Sequence, residues 1–294
     1  MRALALLALI GCKETEPEIV APQPAPLVEP TGACPAITEP GIVSFTSNGI
    51  ERRFDIRFPK NKPAGMPIVF IWHGLAPPEY DPMGSFVSAF DTDDLARTRD
   101  AIVVTPEAMP FNLAGFPVLL WGFLDNDEDD LALYDDLRTC LIRSFDADVN
   151  RVYSWGFSGG GLWSSYLMIH RADTLAAAGS ASGGSDIRVL SAPYIEYQTP
   201  AQPVPALLGA GGANDKWPDP ALVIIDFEEA TDNLQAGLVA DDSAVVRCHH
   251  DTGHNVPEWM WGQTKKFLFA HTYGQASPYA ADADLVDGCE IAGP

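Results

Sequence analysis

Two hydrophobic periods take turns along the chain. Phe54, Ile56 and Phe58 alternate with Arg53, Asp55 and Arg57, which predicts a half-exposed antiparallel strand. Residues 67–72 and 101–104 are continuous apolar runs, the pattern of strands buried on both faces. Over 129–145, Leu131, Leu133, Tyr134, Leu137, Leu141 and Ile142 recur at helical spacing. Short strands are predicted at 152–155, 175–180, 204–208 and 244–248, and helices over 225–238 and 259–270. An early antiparallel pair followed by strand–helix units predicts an α/β fold, a mostly parallel sheet of about eight strands with helices on both faces. Ligands of such sheets bind beyond the carboxyl ends of the strands. The loops after residues 157, 208 and 248 are therefore where chemistry is expected.

The ends of the chain follow other rules. Residues 3–10 form an apolar run behind Met1 and Arg2, too short to span a bilayer and patterned as an export signal. The run closes on Leu9-Ile10-Gly11-Cys12, which resembles a bacterial lipobox and implies cleavage after residue 11 with lipid on Cys12. Residues 12–40 are rich in Pro, Glu and Ala and read as a disordered acidic tether, leaving 41–294 as one domain. The net charge of −22 argues against nucleic acid as a partner and against electrostatic docking on anionic lipid. Membrane contact is expected through the N-terminal lipid alone. The localisation that follows is export, either anchored in a bacterial outer membrane or secreted. Cys34, Cys140, Cys248 and Cys289 remain once Cys12 is set aside, an even number that allows two disulfides in three pairings. Cys34 and Cys289 flank the domain and are expected to tie its ends together, leaving Cys140 for Cys248. A buried free thiol at Cys140 is the alternative.

The candidate chemistry centres on Gly156-Phe157-Ser158-Gly159-Gly160, a G-x-S-x-G pattern between a strand and an apolar helical segment. A Ser at the apex of so sharp a turn needs neighbours without Cβ atoms, and Gly156 and Gly160 supply them. A Ser hydroxyl is a weak nucleophile and needs a base, commonly His, oriented by a carboxylate. Asp215 follows the strand at 204–208 and is the candidate acid, with Asp219 and Asp226 as rivals farther from the strand end. His254 follows Gly253 in the last loop and is the candidate base, with His249 and His250 as alternatives. His170 and His271 end helices, where a positive group is favourable, and read as structural. An oxyanion would be held by the backbone N–H groups of Gly159 and Leu75. His73 is expected to brace that second loop.

Ile71-Trp72-His73-Gly74, Thr105-Pro106-Glu107, Asp129-Asp130-Leu131, Asn150 through Tyr153 with the Ser158 motif, Gly212 through Asp215, and Gly253-His254 occur in a shared order. In that order the chain resembles the polyhydroxybutyrate depolymerase, feruloyl esterase and acetylxylan esterase group of α/β-hydrolases. The resemblance covers roughly residues 42–270 and includes each mechanistic element. It implies an exported serine esterase acting on small or polymeric esters (polyester, feruloyl or acetyl) with Ser158, Asp215 and His254 as its triad, and no cofactor or metal. Gly159 and the Trp-Gly-Phe lead-in depart from the group's usual motif, and no carbohydrate- or polymer-binding module is expected within these residues.

Residues 106–123 carry Phe111, Phe116, Trp121 and Phe123 and are expected to wall a substrate pocket, with Trp121 and Trp217 lining it. The run Asp125, Asp127, Glu128, Asp129 and Asp130 reads as a solvated helix start rather than a Ca²⁺ site, and Asp282, Asp284 and Asp287 as a solvated tail. Two other functions remain open: a surface lipoprotein using the fold as a binding scaffold, and an acyltransferase.

Overall fold

The structure is a computed structural model that describes residues 22–279 and 284–293, apart from residues 114, 126, 190, 191 and 220. Cys12 and Asp282 lie outside the described residues. A hairpin of β1 (Gly41–Ser47) and β2 (Ile50–Arg57) opens the domain. Next come β3 (Ile68–Trp72), α1 (Pro82–Ala89), α2 (Thr92–Thr98) and β4 (Ile102–Pro106). A small hairpin, β5 (Met109–Leu113) with β6 (Phe116–Leu120), precedes α3 (Asp127–Phe145), β7 (Val152–Phe157), α4 (Gly159–His170) and β8 (Ala177–Ala181). A second small hairpin joins β9 (Ile187–Val189) to β10 (Ala192–Tyr194), followed by β11 (Ala206–Ala210). A third joins β12 (Lys216–Asp219) to β13 (Leu222–Asp226) and leads into α5 (Phe227–Ala240). The chain closes with β14 (Val245–His249), α6 (Glu258–Ala270) and β15 (Cys289–Ile291).

Nine strands form one sheet in the order β1-β2-β4-β3-β7-β8-β11-β14-β15. The pairs from β4 through β14 are parallel, while β1, β2 and β15 run antiparallel to their neighbours. Side-chain alternation divides the core. Ile68, Phe70 and Trp72 of β3 point to one face, where α3, α4 and α5 bring Tyr134, Leu137, Leu162 and Leu234. Val69 and Ile71 point to the other, against Phe90 beyond α1, Leu95 of α2 and Trp261 and Phe267 of α6. Each large side chain so buried contributes about 1.5–3 kcal/mol before entropy is counted. Trp72 keeps its polar atom satisfied, since its indole N–H donates to Ser154 Oγ at 2.9 Å.

The expected mostly parallel sheet of about eight strands is present with nine, β15 adding to its far edge. Other expectations need correction. The disulfides join Cys34 to Cys140 and Cys248 to Cys289. Sheet order explains this: β1 and β15 are opposite edges, so the two ends of the domain do not meet. Cys289 instead stands directly across from Cys248 in the β14–β15 ladder. Cys34 belongs to a segment that crosses α3, where Thr31 bonds Asp136, one turn before Cys140 on the same helix face. Residues 22–40, expected as free tether, are therefore strapped to the domain; the Ala25 N–H also donates to the Asp173 carbonyl. In β2, Asp55 is buried and pairs with Arg57 rather than facing water. In the acidic run, Asp130 is buried as well: it pairs with buried Arg52 of β2 and accepts the Gly122 N–H at 2.7 Å. Burial pushes the Asp130 carboxyl up despite the pull of Arg52. Among the described residues, no group of three His, Cys, Asp or Glu side chains is placed to hold a metal ion.

Candidate active site

Ser158 stands between β7 and α4 at φ 58° and ψ −124°, a conformation that a side-chain-bearing residue adopts at a cost. The crowding that holds it there is measurable. A Cβ on Gly156 would stand 2.0 Å from the Gly160 carbonyl oxygen, and one on Gly160 2.0 Å from that of Trp72. Strand, turn and helix thus fit together only with glycine at both places.

His254 arrives from the loop between β14 and α6. Its Nε2 is 2.8 Å from Ser158 Oγ and its Nδ1 is 2.7 Å from Asp215 Oδ1. With the proton on Nδ1, the imidazole donates to the carboxylate and accepts the Ser158 hydroxyl. Two rings clamp it, Phe157 with centroids 4.8 Å apart and Phe227 with centroids 4.6 Å apart.

Asp215 follows β11 and is fully buried. Burial alone would push its carboxyl up. Hydrogen bonds from His254, the Gly211 N–H at 2.7 Å and Ser182 Oγ at 2.8 Å overcome that and hold it below the ordinary carboxylate range. The rivals are placed elsewhere. Asp219 is exposed, and Asp226 caps α5 and pairs with Lys216. His249 is near Glu228, and His250 bonds Thr252.

The Leu75 and Gly159 backbones meet beside Ser158, since a Cβ on Gly159 would come within 3.0 Å of the Leu75 nitrogen. Neither N–H bonds another backbone group outside regular structure among the described residues. The loop carrying Leu75 is fixed from behind. His73 is fully buried, with Nδ1 2.6 Å from the Gly74 carbonyl and Nε2 accepting the Ala108 N–H at 3.0 Å. That pair of contacts sets the neutral tautomer with the proton on Nδ1. Desolvation pushes its pKa down to about 4. His73 therefore braces the loop.

Trp121 is a correction. It is buried behind the loop and donates its indole N–H to the His73 carbonyl at 2.7 Å, so it supports the site and does not line it. Trp217 does line the cavity over Ser158. The three small hairpins supply five of the lining residues: Leu113 and Leu120, Val189, and Trp217 with Ile225. Phe123, Leu124, Leu162 and Phe227 complete it with Leu75 and Gly159. His271 is structural but not through charge: burial pushes its pKa down, and the ring bridges the Phe267 carbonyl and Ser277. Sequence reasoning missed Ser182 and the ring clamp. Ser182 had one usable signal, its place at the carboxyl end of a strand.

The chain has the α/β-hydrolase fold, and its likeness to known proteins runs to esterases. The chain is 26% identical over 166 residues to feruloyl esterase D of Neurospora crassa, covering 52% of this chain and 54% of that protein. It thus spans about half the length of the curated relative it matches. Native pOPH superposes with a TM-score of 0.69 at 16% identity, over 89% of this chain and 97% of the other. A CE1 ferulic acid esterase from Anaeromyces mucronatus does so at 0.57 and 16% identity, over 80% and 91%. No protein-family model matches.

Proposed function

We propose that this chain is an exported serine esterase that hydrolyses carboxylic esters through an acyl-enzyme. The observation that carries the reading is the unbroken hydrogen-bonded series from Ser158 through His254 to Asp215 at the mouth of an apolar cavity. His254 takes the Ser158 proton as Oγ attacks the ester carbonyl. The Gly159 and Leu75 N–H groups receive the negative oxygen. His254, now an imidazolium steadied by Asp215, gives its proton to the departing alcohol. Water then loses a proton to His254 and attacks the acyl carbonyl, and the acid leaves as Ser158 regains its hydrogen. The relative's name points to feruloyl esters, while acetyl and polyester substrates rest on the motif resemblance alone.

Export belongs to the same proposal. Two disulfides suit an oxidising compartment. The Gly11-Cys12 junction suits cleavage and lipid attachment, with residues 13–21 as the length left to span from lipid to strap. A fluorophosphonate probe tests the chemistry. It should label the wild-type protein and leave Ser158→Ala unlabelled, with p-nitrophenyl acetate turnover lost in parallel. A folded wild type that takes no label is a binding scaffold. Mass spectrometry of membrane-extracted protein tests Cys12: an unmodified thiol there ends the anchor proposal.

A further inference from the structure

The cavity over Ser158 says which half of the ester enters it. Its walls include Leu75 and Gly159, the proposed oxyanion residues, and Leu162, one turn into α4 from Ser158. His254, which must reach the leaving alcohol, is not among the described residues that line it. The acyl half therefore occupies this cavity, and the alcohol leaves on the imidazole side.

The chemistry of the walls is one-sided. Apart from Ser158 itself, every described lining residue has an apolar side chain except Trp217, whose indole offers a single N–H donor and no acceptor. Among the described lining residues, no side chain other than that of Ser158 offers a carboxylate, amide or hydroxyl to accept a hydrogen bond from a substrate hydroxyl. A hydroxyl buried there gives up its water without a full replacement, whereas each added methylene gains.

We propose that this acyl subsite selects apolar acyl groups without hydroxyls and discriminates against the hydroxylated cinnamoyl group suggested by the feruloyl esterase likeness. The selection rests on the esterase reading above. The residues that set it are Leu113, Leu120, Val189, Trp217 and Ile225, all on the three small hairpins rather than on the sheet. The reaction machinery is thus fixed on the sheet, while acyl choice is made by short appended elements.

The test uses the purified protein and two ester series, each with a constant alcohol. Across p-nitrophenyl acetate, propanoate and butanoate, kcat/KM should rise about fourfold per methylene. Methyl cinnamate should exceed methyl 4-hydroxycinnamate by about tenfold or more in kcat/KM. Val189→Thr adds a hydroxyl to the wall at nearly constant volume and should narrow that cinnamate ratio. Trp217→Phe should change both cinnamates by the same factor. Equal rates on the two cinnamates, or preference for the hydroxylated one, would overturn the inference. So would a loss in Trp217→Phe confined to the hydroxylated ester, because the indole would then be serving it. If no ester in either series is hydrolysed, the esterase reading itself fails, a result distinct from hydrolysis without selection.

Discussion

Ser158 and its two partners are held by different physics. Ser158 is fixed by steric exclusion: glycines at 156 and 160 let backbone carbonyls approach to distances that no Cβ tolerates. The lock lies almost wholly within one short segment and takes from outside it the backbone carbonyls of Trp72 and His73. His254 and Asp215 are fixed by polar contacts and ring packing gathered from distant places. Ser182 comes from the end of β8, Gly211 from the end of β11, Phe157 from the elbow and Phe227 from the start of α5. A steric lock fails all at once when a methyl group enters it. A distributed network fails by degrees, each member costing a part. The contrast predicts a hierarchy of damage.

Gly160→Ala is the harshest test. Its methyl group meets backbone oxygens of Trp72 and His73, and backbone in the middle of a packed sheet has nowhere to move. We expect a destabilisation of more than about 4 kcal/mol, read as loss of the cooperative thermal transition. A folded and active Gly160→Ala would show that the elbow is far softer than its geometry implies.

Asp215→Asn keeps shape and removes charge. Asn can present an N–H to Nδ1 and so favour the wrong imidazole tautomer. The expected loss is roughly ten-thousandfold in kcat with the thermal transition retained. Gly160→Ala and Asp215→Asn thus separate fold from function across the two halves of the site.

His73 supports the elbow side and reports on it through pH. Its folded pKa of about 4 lies below the ordinary 6.5. Above 6.5 both folded and unfolded forms are neutral and the full stability is present. As pH falls from 6.5 toward 4 the unfolded chain takes up a proton that the folded one refuses, so stability is lost across that window, by about 3 kcal/mol in all. Other groups titrate there too, so the measurement is a difference. Urea unfolding at several pH values should fall more steeply for wild type than for His73→Gln, whose amide oxygen can still accept the Ala108 N–H. Parallel curves would mean that the folded protein protonates His73 as readily as the unfolded chain does.

The same contrast explains what the sequence disclosed. The elbow was legible because its cause is local: residue identities along one segment and the strand and helix periods on either side. Asp215 and His254 were legible by position, each just beyond a strand. Their clamps were not, because nothing in the spacing of Phe227 or Ser182 tells which loop they will face. The place of Trp121 is hidden in the sequence for a related reason. An aromatic run in a loop at the active-site end signals burial, and only the fold decides whether the ring lies before or behind the Leu75 loop. The disulfides failed on topology: adjacency at the two ends of the chain is cancelled when those ends occupy opposite sheet edges. The burial of Asp130 does not show in its own acidic run because its partner, Arg52, lies on another element.

Ser182 supplies the mildest and most discriminating test. Its hydroxyl donates to Asp215 Oδ2, and its own φ is 46°, a region that favours glycine. Ser182→Ala removes the hydroxyl and leaves the backbone cost. Ser182→Gly removes the hydroxyl and relieves that cost. If the hydrogen bond to Asp215 is what matters, both variants should lose about tenfold in kcat, the usual scale for one bond to a charged group, with KM little changed. The glycine variant should be the more stable of the two by about 1 kcal/mol. Recovery of kcat in Ser182→Gly but not in Ser182→Ala would show instead that backbone geometry at the end of β8 positions the acid. The boundary between the steric half of the site and its polar half would then have to be redrawn to include Asp215.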